Sequence, residues 1–457
     1  MDGRRKKTSG AFGTAKQSGV KPPFNFAQDR PHSKGGNSRR SAALRGRARS
    51  GTGIPDVAVI GAGVFGGWTA WHLARRGARV ALVDAWGAGN PRGTSSGEAR
   101  ILRFSYGEKY LYSEWTHRAR AIWRACEKDW GVPLFVPCGM LWVYREENAY
   151  YRASVAALEK LREPYERLSA GEAARRFPQF AFNAGEFALY EPGSGILRAQ
   201  RAVQTVAAQV ERLGGELRVG WVEPPMADTS ASRKREGAHA RKGRAGSPLR
   251  TVRMKGGDEL RAGAYVFACG PWLPELFPEL LGRRIVVTKQ DVFYFGPPPG
   301  DARFDAPRMP AWADYETEFY GTPGTDVCGF KLADNQGPPG FDPTSGERVT
   351  APETERAARA YLARRFPAMA GAPLVRSRVC QYERTPDSQI VVDRHPQWEN
   401  VWLAGGGSGH GFKFGPALGE FLAGLVLEGG QERIAPPLRL SASVHHDTAR
   451  LPRRGAY

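Results

Sequence analysis

A glycine-rich turn between two apolar runs constrains the fold of this chain more than any other feature. Residues 56–60 (DVAVI) form a short continuous apolar run, which is typical of a buried parallel strand. The motif GAGVFG follows at residues 61–66, and residues 68–76 predict a helix that ends at Gly77. Residues 79–84 (RVALVD) predict a second strand. The sequence therefore predicts a βαβ unit with G-x-G-x-x-G at its first turn.

The spacing within this unit predicts a dinucleotide site. Gly61 permits the tight turn, Gly63 lets the backbone approach a pyrophosphate, and Gly66 allows the helix to pack closely on the strand. Asp84 lies 23 residues after Gly61, at the end of the second strand, where its carboxylate can accept hydrogen bonds from ribose hydroxyls. An acid at this position disfavours the 2′-phosphate of NADP. The alternative is a glycine-rich turn that binds no ligand.

Further strand signals are spread over the whole chain. Residues 265–270 and 400–404 predict buried strands, and Pro416 is placed as the first residue of a helix over 417–427. Strand-like segments between them predict a second domain with a mostly antiparallel sheet: 139–144, 286–295 and 379–382. We therefore expect an α/β fold with a discontinuous Rossmann-like domain and an α+β substrate domain. The expected dinucleotide-binding segments are 54–137, 190–278 and 386–435, and the expected substrate-domain segments are 138–189 and 279–385.

The net charge of +20 is concentrated in two polar segments. Residues 1–53 contain 13 Lys and Arg against 2 acidic residues, and residues 226–250 contain 7 against 2. Both segments are rich in Gly and Ser and cannot bury a core, so we expect a disordered basic tail at 1–53 and a solvated basic loop insertion at 226–250. The tail is a candidate for nucleic-acid binding. We favour a solvated appendage, or an extension from a misassigned start, over that role.

The cysteines and the hydropathy of the chain indicate which cellular compartment the protein occupies. The five cysteines are scattered without a C-x-x-C pair, which argues against a metal site or a disulfide framework and for a reducing compartment. No apolar run approaches the roughly 20 residues that a membrane span needs. The basic N-terminus is not followed by the apolar segment of a signal peptide. We therefore expect a cytoplasmic protein with no metal site and no membrane segment.

A second glycine-rich stretch, GGGSGHGFKFGPALGEFL at residues 405–422, follows the last predicted strand. Its glycines cost backbone entropy on folding, so we expect the backbone to pass very close to something flat or phosphorylated. Lys413 lies between Phe412 and Phe414. It is either a surface lysine whose stem lies on core phenylalanines or a cation of a binding site. The residues alone leave both alternatives open.

Four stretches together give the chain a specific resemblance over residues 56–427: DVAVIGAGVFGGWTAWHLARRGARVALVDAW, GTSSGEARILRFSYGE, YEPGSGILRAQ and CQYERTPDSQIVVDRHPQWENVWLAGGGSGHGFKFGPALGE. The chain resembles the monomeric sarcosine oxidase and N-methyl amino acid oxidase group of the D-amino acid oxidase-like flavoprotein superfamily. The resemblance implies FAD as the cofactor. It also implies oxidation of a secondary, N-methyl or cyclic amino acid to an imine, with reduction of O2 to H2O2. We expect a monomer.

The resemblance implies a clamp for the substrate carboxylate. In this group the glycine run passes against the flavin ring, and the positions of Arg103 and Lys413 bind the carboxylate. Arg100 matches an arginine beside the flavin. Arg100 and Arg103 are three residues apart, so we expect one helical face to present both. The alternative is two solvated arginines on a surface helix.

The resemblance also implies roles for residues of the second domain and of the glycine run. Cys380 matches the cysteine that carries a covalent flavin thioether, and the alternative is a small buried apolar side chain. Tyr382 lies on the same strand face and matches an active-site tyrosine. Lys331 matches the lysine that activates oxygen, for which a fixed cation lowers the barrier. Tyr320 and His410 match a pocket tyrosine and the active-site histidine.

Two positions depart from the pattern of the group and leave the side chain of the substrate open. Asn335 stands where close members have a second histidine, and Ala99 stands where they often have a hydroxyl residue. The alternatives are a flavin dehydrogenase or tailoring oxidase of the same fold, and a tRNA-modifying flavoprotein that uses the basic tail.

The expected cofactor contacts are Gly61, Gly63, Val64, Phe65, Gly66, Asp84, Ser96, Gly270, Cys380, Gly407, Gly409, Gly411 and Phe412.

Overall fold

The computed structural model describes three parts of the chain, residues 53–226, 246–325 and 328–441. The predicted basic tail and most of the predicted basic loop lie outside these residues. Within them the chain forms two large sheets and two small ones, with helices packed around the sheets.

The C-terminal end of the predicted basic loop is packed rather than solvated. Leu249 is buried, and its backbone N–H donates to Asn400 Oδ1 at 2.8 Å. Asn400 Nδ2 donates in return to the carbonyl oxygen of Leu249 at 2.9 Å. The expectation of a solvated segment as far as residue 250 was therefore wrong at its end, because an apolar side chain and two amide hydrogen bonds hold Leu249 in place.

The elements are named here in chain order. The strands are β1 Val57–Ile60, β2 Val80–Asp84, β3 Ala99–Leu102, β4 Phe135–Val136, β5 Met140–Tyr144, β6 Glu166–Ser169, β7 Phe187–Glu191, β8 Gly195–Arg198, β9 Glu216–Val219, β10 Thr251–Arg253, β11 Glu259–Arg261, β12 Ala264–Phe267, β13 Val286–Phe295, β14 Ala311–Asp314, β15 Phe319–Thr322, β16 Phe330–Asp334, β17 Leu374–Arg384, β18 Val391–Arg394 and β19 Val401–Gly405. The α-helices are α1 Val64–Arg75, α2 Tyr110–Trp130, α3 Ala149–Leu161, α4 Ala170–Arg176, α5 Ala199–Arg212, α6 Leu273–Leu276, α7 Pro278–Leu281, α8 Pro352–Arg365 and α9 Gly415–Glu428.

The first large sheet has the strand order β18-β19-β12-β1-β2-β9. Its neighbouring strands run parallel except for β18 and β19, which are antiparallel. β1, α1 and β2 form the predicted βαβ unit, and β1 is buried along its whole length. Because β12 and β19 come from the middle and the end of the chain, the prediction of a discontinuous Rossmann-like domain is confirmed.

The second large sheet has the strand order β17-β13-β16-β15-β14-β5-β7-β6. Its strands pair antiparallel except for β14 and β5. β13 and β17 form a long pair that runs from Val286 opposite Arg384 to Phe295 opposite Leu374. This sheet confirms the predicted sheet-rich second domain, and β17 extends well beyond the short strand that the sequence predicted.

Helix α1 packs against α9 at close range because glycines of α9 face it. A Cβ on Gly419 would lie 2.7 Å from Trp68 Cβ, and a Cβ on Gly415 would lie 2.4 Å from the side chain of Val64. Trp68 is fully buried and packs edge-on against Trp123 of α2, with ring centroids 4.9 Å apart. This contact holds the C-terminal glycine run, which precedes α9, against the βαβ unit at the start of the chain.

In the three described parts of the chain, no helix combines the length and the apolar character that spanning a bilayer requires.

Candidate active site

The first glycine motif turns between β1 and α1 with almost no free space. Gly61 has a φ of 102°, and a Cβ there would lie 2.3 Å from the carbonyl oxygen of Ala268. A Cβ on Gly66 would lie 1.8 Å from the carbonyl oxygen of Gly61, so only glycine allows this close contact between turn and helix. Gly63 precedes α1, whose first turn contains no acidic residue. The positive N-terminal end of α1 is therefore available to an anion such as a pyrophosphate.

Asp84 braces the same turn from the end of β2. Its Oδ2 accepts a hydrogen bond from the N–H of Ala62, and its Oδ1 accepts one from the N–H of Trp86, both at 2.9 Å. Burial raises the pKa of Asp84, and the backbone N–H groups oppose that rise. Each carboxylate oxygen can accept two hydrogen bonds, so Asp84 braces the motif and also keeps acceptor capacity toward the cavity that it lines.

Three half-buried tryptophans surround this end of the site, and the sequence analysis did not identify them. The ring centroid of Trp86 lies 4.9 Å from that of Trp221 and 5.0 Å from that of Trp272. Each follows a strand of the parallel sheet, namely β2, β9 and β12, whose carboxyl ends share one edge. Their flat apolar faces suit an aromatic base. For Trp86 and Trp272 the position shortly after a predicted strand was the available signal, whereas the strand before Trp221 was not predicted.

A cavity connects this edge of the sheet with the C-terminal glycine run. It lies at the carboxyl ends of the parallel strands, where ligands bind in open α/β sheets. Among the predicted cofactor contacts, Gly66 and Cys380 are not part of its lining. The remaining ones line it: Gly61, Gly63, Val64, Phe65, Asp84, Ser96, Gly270, Gly407, Gly409, Gly411 and Phe412.

The second glycine run forms a cradle without side chains. A Cβ on Gly409 would lie 2.6 Å from the ring of Tyr382, and a Cβ on Gly411 would lie 2.8 Å from Phe65 Cζ. Gly409 has a φ of 80°, which also favours glycine. The backbone therefore passes between α1 and β17 where no side chain fits. Together with the cavity, this cradle fits a dinucleotide that carries a flat ring system.

Arg100 lies in a strand and not in a helix. β3 pairs antiparallel with β8, and Arg100 stands opposite Leu197. The prediction that Arg100 and Arg103 share a helical face was therefore wrong. The pairing with β8 extends the backbone here, and in an extended backbone side chains three residues apart point to opposite sides.

Arg100 lines the cavity and holds its guanidinium beside a cysteine. Its Nη2 donates to the carbonyl oxygens of Thr94 and Ser96, both at 2.7 Å, and lies 3.6 Å from Cys380 Sγ. Cys380 is a free, buried thiol of β17. The guanidinium of Arg100 is therefore a fixed donor beside the sulfur of Cys380.

Arg103 and Lys413 lie in one aromatic chamber and are 6% and 3% exposed. The guanidinium carbon of Arg103 lies 4.1 Å from the centroid of the Tyr106 ring, and Lys413 Nζ lies 5.3 Å from it. Lys413 Nζ donates to Tyr106 Oη at 2.6 Å and to the carbonyl oxygen of His410 at 2.7 Å. Burial, and then the charge of Arg103, lower the pKa of Lys413 well below 10.5. This geometry contradicts the alternative of a surface lysine.

Another group of predicted residues lies on the sheet of the second domain. The hydroxyl oxygens of Tyr320 and Tyr382 are 2.6 Å apart. Lys331 of β16 is buried, and its Nζ donates to the carbonyl oxygen of Ala99 at 3.3 Å and lies 5.6 Å from the centroid of the Tyr320 ring. Burial, and then the charge of Arg100, lower the pKa of Lys331 to about 7. The charge of Lys331 therefore responds to pH near neutrality.

His410 is a buried, neutral imidazole between the glycine cradle and the aromatic chamber. Its Nε2 lies 3.1 Å from the carbonyl oxygen of Ser388, which can only accept, so Nε2 carries the proton. Its Nδ1 is then an acceptor, and it has no hydrogen-bond partner among the described residues. Burial, and then the charge of Lys413, lower the pKa of His410 well below 6.5.

Sequence reasoning also missed Glu383, which lines the cavity from β17. Because side chains alternate along a strand, assigning Cys380 and Tyr382 to one face assigned Gln381 and Glu383 to the other. The burial of this end of β17 depends on segments distant in the chain, so the sequence alone did not single out Glu383. As for metals, no cluster of three His, Cys, Asp or Glu side chains suited to an ion occurs within 53–226, 246–325 or 328–441.

The parallel sheet, the two glycine-lined turns and the cavity between them define a dinucleotide-binding protein. The chain belongs to the DAO family of FAD dependent oxidoreductases, whose family model matches residues 56–425. The family, the FAD cofactor and the oxidoreductase class that the sequence stretches predicted are thereby confirmed.

Several relatives match this chain over nearly their whole length. The protein is 30% identical over 397 residues to the monomeric sarcosine oxidase of Streptomyces avermitilis, covering 85% of this chain and 98% of that one. It is 28% identical over 383 residues to the monomeric sarcosine oxidase of Bacillus sp. strain B-0618, covering 82% and 93%. It is 27% identical over 373 residues to the N-methyl-L-tryptophan oxidase of Yersinia pestis, covering 80% and 94%.

Solved structures share the fold at lower identity. Amadoriase I from Aspergillus fumigatus superposes with a TM-score of 0.69 at 20% identity, covering 85% of this chain and 90% of that one. NikD, an amino acid oxidase of nikkomycin biosynthesis, superposes with a TM-score of 0.66 at 22% identity, covering 88% and 98%. At these identities the similarity shows the same fold, a Rossmann-like domain with a sheet-rich second domain.

Proposed function

We propose that this protein is an amine oxidase that converts a secondary or N-methyl amino acid, open-chain or cyclic, to the imine and reduces O2 to H2O2. The observation that carries the proposal is the pair of buried cations, Arg103 and Lys413, enclosed by aromatic rings next to the glycine cradle. The relatives are named for oxidising sarcosine and N-methyl-L-tryptophan, which supports an N-methyl amino acid as the substrate class.

Arg103 and Lys413 act as a clamp for the substrate carboxylate. The guanidinium of Arg103 offers a planar fork, and the ammonium of Lys413 offers a point charge. The rings of Tyr106 and Trp142 lie 4.1 Å and 4.8 Å from the guanidinium carbon of Arg103 and limit access of water, which strengthens the attraction for an anion. Burial lowers the pKa of Lys413 in the free protein, and a bound carboxylate would oppose that shift.

FAD, when bound, supplies the two-electron oxidation of the carbon–nitrogen bond. The N-terminal end of α1 would hold its pyrophosphate, Asp84 a ribose hydroxyl, and the glycine cradle its flat ring. Cys380 Sγ is the proposed point of a covalent thioether to the flavin, and the guanidinium of Arg100 donates a hydrogen bond to that sulfur.

Lys331 is assigned to the reaction with oxygen. Its ammonium is held in a buried position by the carbonyl oxygen of Ala99, so it presents a fixed cation where negative charge develops on oxygen. Tyr320, Tyr382 and His410 are assigned to the walls of the substrate pocket. In this assignment the two hydroxyls position each other, and neutral His410 offers an acceptor without adding a third cation beside Lys413.

The remaining expectations are kept as parts of the proposal. The protein acts as a monomer in the cytoplasm on a small amino acid and O2, without a nucleic-acid partner. The alternative of a tRNA-modifying flavoprotein depends on the basic tail, which lies outside the described residues. The proposed FAD-binding domain comprises 54–137, 190–278 and 386–435, and the proposed substrate domain comprises 138–189 and 279–385.

A panel of amines with and without a carboxylate tests the function. Sarcosine, other N-methyl amino acids, cyclic secondary amino acids and the matching methyl esters are mixed with the enzyme. Loss of the flavin absorption band without oxygen and release of H2O2 with oxygen are then measured. We expect both for at least one amino acid and neither for its methyl ester. Loss of the band without H2O2 release would identify a dehydrogenase, and no response to any of these amines would contradict the proposal.

A further inference from the structure

Glu383 is a buried carboxyl of the cofactor cavity with one oxygen that the protein leaves without a partner. Its side chain is 6% exposed, and its Oε1 accepts a hydrogen bond from the N–H of Gly407 at 3.2 Å. Its Oε2 has no hydrogen-bond partner in the described part of the chain. An unpaired buried polar atom costs free energy, so this oxygen requires an explanation other than folding.

The position of Oε2 points to the cavity. A Cβ on Gly270, in the turn after β12, would lie 3.4 Å from Oε2, and a Cβ on Gly405, at the end of β19, would lie 3.6 Å from it. Gly270, Gly407 and Glu383 all line the cavity. The carboxyl group therefore lies between Gly270 and Gly405, which have no side chains. This wall of the cavity is formed by β17 together with the ends of β12 and β19.

The surroundings of Glu383 favour its neutral form. Burial raises the pKa of Glu383 to about 7, although the N–H groups of Gly407 and Gly406 act in the opposite direction. No charged side chain of the described residues is among the causes of this shift. The titratable group that faces it from the turn after β12 is the Cys269 thiol, whose pKa is itself raised by burial.

The neighbours of Glu383 on β17 and on α1 also provide no positive charge that would pair with its carboxylate. On β17 the adjacent position of the same face is Gln381, whose amide donates to the carbonyl oxygen of Arg92 at 2.7 Å. Arg384 lies on the opposite face, with its guanidinium carbon 5.2 Å from the centroid of the Tyr382 ring. From α1, Phe65 Cζ would lie 3.8 Å from a Cβ placed on Gly407, the residue whose N–H donates to Glu383.

We propose that Glu383 contacts the cofactor directly and that its neutral carboxyl donates a hydrogen bond from Oε2 to an acceptor atom of bound FAD. FAD presents carbonyl, ring-nitrogen, hydroxyl and phosphate acceptors and carries a negative pyrophosphate. An ionised Glu383 could only accept and would repel this charge, whereas the neutral acid can donate. The proposal rests on FAD as the cofactor and does not depend on which amine is oxidised.

The sign of the resulting pH dependence follows from the preference for the neutral form. Below the pKa of Glu383 in the free protein the carboxyl is already protonated, and the affinity for FAD does not change with pH. Above that pKa, FAD binding must take up a proton, so the dissociation constant rises about tenfold for each pH unit until the pKa of the complex is reached. Affinity is therefore lost as pH rises through about 7.

The test measures FAD binding and not catalysis. Apoprotein of the Cys380→Ser variant, in which FAD can exchange, is titrated with FAD between about pH 6 and about pH 9, and quenching of FAD fluorescence gives the dissociation constant. We expect the tenfold rise per pH unit in this background. Glu383→Gln keeps a neutral donor of the same shape, so its affinity should stay close to the acidic value and be flat with pH. Glu275→Gln, which removes an exposed carboxyl at the rim, is the matched control and should keep the rise.

Two results would overturn the proposal: an affinity of the Cys380→Ser background that is flat with pH, or a rise that persists unchanged in Glu383→Gln. A second measurement covers the case in which Glu383→Gln does not fold. Infrared spectra of the unsubstituted holoprotein should contain the carbonyl stretch of a protonated carboxyl group at neutral pH, and this band should shift on binding of FAD to the apoprotein. Absence of that band would equally reject a neutral Glu383.

Discussion

Arg100 Nη2 lies 3.6 Å from Cys380 Sγ, although the two residues come from different sheets. The guanidinium is fixed by the carbonyl oxygens of Thr94 and Ser96, so it cannot swing away without breaking two hydrogen bonds. The sulfur of Cys380 is thus held next to a fixed hydrogen-bond donor.

This pair predicts that the flavin is covalently bound through Cys380. After acid precipitation of the unsubstituted protein the yellow colour should stay with the pellet, whereas in Cys380→Ser it should appear in the supernatant. Cys138→Ser, at another buried free cysteine, is the matched control and should keep the colour in the pellet. Colour released from the unsubstituted protein would mean that Cys380 is only a packed strand residue.

The carboxylate clamp predicts a charge-specific loss of affinity. Removing one charged hydrogen bond from the buried chamber, by Lys413→Met or Arg103→Leu, should cost about 1.5–3 kcal/mol, which is roughly ten- to a hundredfold in the dissociation constant of a carboxylate inhibitor. The measurement is a titration followed by the flavin spectrum, which also shows that FAD remains bound. An uncharged amine of the same size is the control ligand and should lose less. Unchanged inhibitor affinity in both variants would contradict the proposed carboxylate clamp.

The position of Lys331 predicts that replacing this lysine affects reduction of the flavin and its reoxidation by oxygen to different extents. Without oxygen, Lys331→Met should be reduced by substrate at a rate within roughly tenfold of the parent, because that transition state does not use the charge. Reoxidation by oxygen should slow by a factor on the order of 10²–10³, the scale for losing one preorganised electrostatic partner. Stopped-flow absorbance measures both rates. Normal reoxidation together with failed reduction would assign Lys331 to the substrate.

The pKa of Lys331 predicts the direction of a pH effect on the oxygen reaction. The lysine is a cation below its pKa, so the rate constant for reoxidation should fall as pH rises through about 7. Lys331→Arg stays cationic and should show no such fall over this range, which makes it the control for the titration. If the fall persists in Lys331→Arg, another group governs it.

Sequence reasoning was most accurate where the determinants are local. The βαβ unit followed from a short apolar run, a glycine spacing and an acid at a strand end, and each of these acts within a few residues. The helix after Pro416 was predicted for the same reason. The fold class could be read from the order of such signals along the chain.

The misplacement of Arg100 has a non-local cause. Its i and i+3 relation to Arg103 fits a helix, and nothing within the stretch opposes that reading. What makes the segment extended is its pairing with β8, nearly a hundred residues further along the chain.

Burial explains why part of the site was missed. Glu383 looks like an ordinary polar residue in the sequence, and only the approach of the turn after β12 and of the glycine run makes it a buried carboxyl. Trp86, Trp221 and Trp272 likewise become one cluster only when β2, β9 and β12 align in the sheet.

The interleaving of the first sheet has a consequence for the order of events during synthesis. β1 and β2 emerge early from the ribosome, but their neighbour β12 and then β19 follow only after most of the chain has been made, and the glycine cradle comes last. A nascent chain that ends before β19 leaves one edge of β12 unpaired and lacks one wall of the cofactor cavity. FAD can therefore be captured only after the glycine cradle has been synthesised, and the long sequence separations make assembly of this domain slow. When FAD is scarce, apoprotein with an open cavity should therefore accumulate after translation.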